Sequence, residues 1–137
     1  MQIPLEPSPV PRAVDALIHR AIAERRLLRC VFQGHERIGE PHDYGIKNGR
    51  VELFLWQTGG TSRSGALPGW RVIHVVEAED VAVLERRFPG RRETPTHQHR
   101  GWDELWARVR PRDAVDEPAR PRREAVAREE APRSRPR

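Results

Sequence analysis

The sequence predicts a mainly β fold of the α+β class: five short strands closed into a small barrel, with a helix before it, a short helix after it, and a disordered tail. Three observations predict this. Val, Ile, Leu and Phe are concentrated between residues 13 and 88 and nearly vanish after 111. The apolar period switches from helical to alternating near Leu28. Turn residues then punctuate the chain at short intervals, as they do in all-β domains.

The elements follow in order. Residues 1–11 read as a disordered arm, broken by Pro4, Pro7, Pro9 and Pro11. A helix is expected from about Pro11 to Arg26, because Val14, Leu17, Ile18, Ala21 and Ile22 fall on one face. Leu28, Cys30 and Phe32 alternate and mark the first strand. Residues 33–36 form a turn, and the second strand begins at Arg37. Pro41 lacks an N–H, so that segment is an edge or a bulge. Asn48-Gly49 is a hairpin signal, since both residues tolerate positive φ. Val51 to Gln57 is the third strand, apolar on both faces. Residues 58–65, rich in Gly and Ser, read as a flexible loop. Trp70–Val76 and Val81–Leu84 are the fourth and fifth strands, with an acidic turn between them. Five short strands leave exposed edges, and closure into a barrel removes them.

Past Phe88 the chain is polar. Trp102, Leu105, Trp106 and Val109 then fall at helical spacing, so a short helix is expected within 96–111 and ends at Pro111. Residues 112–137 are rich in Arg, Glu and Pro, and bury too little apolar surface to offset chain entropy. The folded domain is thus expected over 12–95.

The net charge is +5, and 24 of the 25 basic residues are Arg, Lys47 being the exception. The excess is spread along the chain: 14 basic against 12 acidic residues up to 95, and 11 against 8 after it. Such a balance permits an anionic partner without the one-sign density of a dedicated nucleic-acid binder. Cys30 stands alone, so no internal disulfide forms, and its alternation with Leu28 and Phe32 makes it a core thiol. The N-terminus lacks the apolar run of a signal peptide, and no stretch is long enough to span a membrane. A cytoplasmic location without membrane contact is expected.

The stretches Ala21–Arg26, Leu28–Gly34, Arg37-Ile38-Gly39-Glu40-Pro41-His42-Asp43-Tyr44-Gly45, Phe54-Leu55, Gly69–His74 and Val83-Leu84 through Phe88 together resemble the WYL domain family. The resemblance covers residues 17–88 and rests most on the Arg–x–x–Glu–Pro segment ending in Tyr-Gly. It implies a small Sm-like or SH3-like barrel and a regulatory domain that senses nucleotides or nucleic acid. Arg37 stands at the family's Arg before Glu-Pro. His74 stands where the family usually has the Arg of a Phe-Arg motif, with Ile73 in place of the Phe and Val76-Glu77 in place of Asp-Arg. Leu53-Phe54-Leu55-Trp56 occupies the strand of the eponymous Trp-Tyr-Leu.

Arg37, His42, Tyr44, Arg71 and His74 are therefore the candidate ligand-binding residues: guanidinium groups for an anion, and an aromatic face for stacking. A nucleotide or single-stranded nucleic acid is the expected ligand. A protein partner docking on Trp102 and Trp106 is the alternative. His35, His42, His97 and His99 lack the spacing of a metal site, so no metal or cofactor is expected. No Ser/His/Asp spacing, apolar carboxylate pair or nucleotide fingerprint points to catalysis, and a binding module is expected rather than an enzyme. A chain ending at Arg112 should melt within a few degrees of the full chain. A larger drop in its thermal unfolding midpoint would show that the Pro-rich tail contributes to folding.

Overall fold

The computed structural model describes residues 9–61, 66–93 and 100–112. Among these, a helix α1 (Arg12–Glu24) precedes β1 (Arg26–Phe32), β2 (His35–Lys47), β3 (Arg50–Gly60) and β4 (Gly69–His74). A 3-10 turn (Val75–Glu77) leads to β5 (Glu79–Arg87), and β6 (Glu104–Arg108) follows. The chain forms two compact units. The first, residues 1–88 with 93–109, carries all these elements. The second, residues 89–92 with 110–137, is described at Pro89–Arg92 and Arg110–Arg112, where the Arg91 N–H donates to the Arg110 carbonyl at 2.9 Å.

The fold is mainly β, as its sequence predicts. The strands form one antiparallel sheet ordered β4-β3-β2-β1-β5. Two two-residue turns build its centre. Gln33 and Gly34 have φ of 56° and 76°, and Asn48 and Gly49 have 52° and 77°, the positive pairs of a type I′ turn. Such turns match the twist of the strands they join, so β1, β2 and β3 run in succession as hairpins. Pro41 sits where expected, at a register shift between Pro41 and Asp43.

The sheet does not close into a barrel. β4 and β5 occupy opposite ends of the strand order, and no ladder joins them among the described residues. The apolar face is covered instead by α1, through Ile18, Ala21 and Ile22, and by the 3-10 turn, through Val75. They pack with Leu28, Cys30, Phe32, Leu53, Leu55 and Ile73 in one core. The edges are guarded by other means. β4 is only six residues long, and β5 exposes Glu79, Asp80, Glu85, Arg86 and Arg87. Val10, counted with the Pro-broken arm, is 5% exposed and belongs to the core.

The expected second helix is a strand. Glu104–Arg108 forms β6 against β2, with Asp43 opposite Arg108 and Tyr44 opposite Ala107. The physical reason is nonlocal. β1 pairs with β2 only as far as Gly39, so the flank of β2 from Asp43 to Ile46 needs another backbone partner. That demand outweighs a helical pattern too short to hold a helix alone. Approach is close at Gly45, where any Cβ would meet the Glu104 carbonyl oxygen. Residues 1–8, the loop at 62–65, the segment 94–99 and the tail from 113 lie outside the described residues.

A Cβ on Gly49 would meet open space, so its constraint is purely its φ of 77°. Gly49→Val should therefore lower stability in urea melts by roughly 1 kcal/mol or more, while Gly49→Asn, which tolerates that conformation, should cost much less.

Candidate functional site

Arg37 lies on β2 with its side chain turned inward, and it is only 7% exposed. Its Nη2 donates to the Phe32 carbonyl at 3.2 Å, and its Nη1 approaches Gln57 Oε1 at 3.5 Å. The guanidinium carbon lies 5.4 Å from the centroid of the Phe32 ring, a cation–π distance. The Nε is buried and has no hydrogen-bond partner, and no carboxylate pairs with this guanidinium among the described residues. Burial pulls its pKa below the usual value, and the positive charge of Arg71 acts in the same direction.

Arg71 reaches this region from β4. Its register partner is Leu55, which places it on the same sheet face as buried Ile73. It is half-buried, and its Nη1 donates to the Trp70 carbonyl at 2.9 Å. Gln57 is fully buried on the same face and organises the end of β3. Its Nε2 donates to the carbonyls of Gly59 and Thr61 at 2.9 and 2.8 Å. Gln57 was visible in the sequence as the polar continuation of the inward series Leu53, Leu55.

His42 and Tyr44 lie elsewhere. His42 is fully buried at the β2 bulge, where its Nδ1 donates to the Glu40 carbonyl at 2.9 Å. Its ring is edge-on to Trp70 at 4.9 Å and stacks on Phe88 at 5.8 Å. Trp70 in turn packs against Phe54 and Trp56 at 4.8 and 5.0 Å. Tyr44 is also fully buried. Its hydroxyl donates to Asp15 Oδ1 on α1 at 2.7 Å, and its ring meets His19 and Trp106 edge-on. Burial and the bond to Asp15 hold the hydroxyl above the usual tyrosine range. His74 sits on the opposite sheet face from Arg71, with its Nε2 3.7 Å from Glu52 Oε2 and its ring 6.0 Å from that of Phe32. The structure thus brings Arg37 and Arg71 within electrostatic reach and sets His74 against Phe32, the ring that Arg37 also approaches, as well as Glu52, while His42 and Tyr44 have separate surroundings.

Trp102 and Trp106 do not share a helical face, because that segment is extended. Trp106 donates to Glu104 at 2.6 Å while packing on Tyr44, and the Lys47 ammonium lies 5.6 Å from the Trp102 ring centroid. His97 and His99 lie outside the described residues. Among the described residues no three His, Cys, Asp or Glu side chains converge on a point where a metal ion could sit, and no helix is long and apolar enough to cross a membrane. Comparison with family models, curated proteins and solved structures finds no match to this chain.

Cys30 lies directly across from Arg37 in the β1–β2 register and is 2% exposed. Burial pushes its thiol up from 9.0 to about 11, against the pull of Arg37 and Arg29. The folded state thus holds the proton more tightly than the unfolded chain. This contribution to stability is complete below pH 9.0 and is lost as pH rises through about 11. Cys30 should resist a thiol reagent near neutral pH until urea unfolds the protein, and urea midpoints should fall between neutral pH and pH about 10, a fall distinctly smaller in Cys30→Ala.

Proposed function

We propose that the chain is a WYL-like regulatory binding module whose anionic ligand, a nucleotide, is held through Arg37 and Arg71. The observation that carries this reading is the buried Arg37 guanidinium. Its acceptors are neutral, its Nε has no partner, and a second guanidinium stands close by. Buried charges are ordinarily paired, because desolvating one alone is costly. A phosphate group supplies the missing countercharge and several acceptor oxygens, and guanidinium groups match it in geometry. The Arg37–x–x–Glu40–Pro41 stretch supports the same reading through its likeness to the WYL family. A nucleotide is favoured over a nucleic-acid strand because Arg37 is only 7% exposed. A single phosphate group needs less open surface than a continuous backbone does.

The test is calorimetric titration of the full chain with nucleoside mono-, di- and triphosphates and with a labelled single-stranded oligonucleotide, at two salt concentrations. Saturable nucleotide binding is expected, weakened about tenfold or more in Arg71→Gln, whose half-buried side chain can be changed without emptying the core. Arg37→Lys should bind more weakly than wild type because it keeps the charge but loses the fork of donors. Binding of the oligonucleotide alone, with a steep salt dependence, would replace the nucleotide by nucleic acid. No binding, or equal binding by wild type and Arg71→Gln, would overturn the site.

A further inference from the structure

The geometry points to a second site, separate from Arg37, that takes a free α-amino acid with a branched apolar side chain. A cavity of about 340 Å³ opens between the far end of the β2–β3 hairpin, the 3-10 turn and Pro9. Its size lies at the small end of the roughly 300–1,000 Å³ that pockets for small molecules span, which suits an amino acid better than a nucleotide.

The lining has two chemistries. Ile46, Val51 and Val76 supply apolar wall. The 3-10 turn sends Val75 into the core and leaves Val76 54% exposed, so an apolar side chain faces solvent beside the opening. Arg50 and Glu77 supply the polar part, with Arg50 Nη2 3.5 Å from Glu77 Oε2 and both side chains more than half exposed. An ion pair so exposed is screened by water and contributes little, so it opens at small cost.

A zwitterion is the ligand that loses nothing by opening it. Its carboxylate takes the Arg50 guanidinium and its ammonium takes the Glu77 carboxylate, so each charge of the pair regains a partner of opposite sign. The apolar side chain then covers Ile46 and Val76, removing their remaining surface from water. Charge balance separates this ligand from a simple anion. His74 also lines the cavity, but its Nε2 faces Glu52, so the acidic groups here are Glu52 and Glu77 against Arg50. A second bare anion would meet two carboxylates, whereas a zwitterion adds no net charge.

The experiment titrates the full chain with L-leucine, following heat and melting temperature. The comparison ligands are glycine, which lacks the side chain; 4-methylpentanoate, which lacks the ammonium; and 3-methylbutylamine, which lacks the carboxylate. Leucine should bind saturably and raise the melting temperature, and each comparison ligand should bind at least about tenfold more weakly. Arg50→Gln, Glu77→Gln and Val76→Asp should each weaken leucine binding by about tenfold or more, with ligand-free melting temperatures unchanged because all three side chains are exposed. These variants should leave nucleotide binding unaltered, which keeps this test separate from that of Arg37 and Arg71. Absence of saturable leucine binding, equal binding of any comparison ligand, or wild-type affinity in Arg50→Gln would overturn the inference. Loss of nucleotide binding in the Arg50 or Glu77 variant would do so as well.

Discussion

A strand of 13 residues cannot be covered on one flank by a neighbour of seven, and β2 and β1 stand in that relation. Backbone groups left bare in a packed domain cost as much as lost hydrogen bonds, so the uncovered half of β2 must find a second partner. The chain meets this by changing partners around Pro41. Before it, β2 pairs with β1; after it, β2 pairs with β6. The shift places His42 in the gap, where its ring fills space between Trp70 and Phe88. It also turns Tyr44 toward α1, where the bond to Asp15 ties helix, β2 and β6 into one core. The helix position, the burial of the bulge and the role of β6 all descend from this unequal pairing.

Two of the buried charged residues on β2 are treated in opposite ways. Asp43 is fully buried and receives the Arg108 Nε at 2.8 Å, so its charge is countered from β6. Arg37 receives only carbonyl and amide oxygens and an aromatic face. A dipole or a ring quadrupole compensates a desolvated cation less fully than a carboxylate does. The first arrangement fastens a strand. The second leaves electrostatic demand in place, which is the property expected of a binding group.

What the sequence made legible was local. The face of α1, the alternation around Cys30, the Asn48-Gly49 turn and the interruption at Pro41 each depend on residues within a few positions of one another. What stayed hidden depended on distant segments. Trp102, Leu105, Trp106 and Val109 spell a helix unless one knows that β2 has a bare flank. Tyr44 reads as an exposed stacking residue unless Asp15, 29 residues earlier, is known to lie over it. Exposed edges in the sequence predict barrel closure, but the sheet protects those edges with length and charge while α1 covers the core. In the candidate site, Arg37 and Arg71 were legible as guanidinium groups on separate strands, but the burial that gives Arg37 its character was not.

The two type I′ turns and the β6 pairing carry an order of assembly within them. Gln33-Gly34 and Asn48-Gly49 close the smallest loops a chain can make, so β1, β2 and β3 can zip with little entropy lost before contacts repay it. Asp43 and Arg108 are 65 residues apart, and their meeting must wait until the intervening chain is gathered. Until then the Asp43–Ile46 flank of β2 is an open template at the middle of the nascent sheet, able to accept a strand from another chain as readily as its own. The glycine at 45, where any Cβ would meet the Glu104 carbonyl oxygen, leaves that flank open to a backbone at close range, whichever chain supplies it.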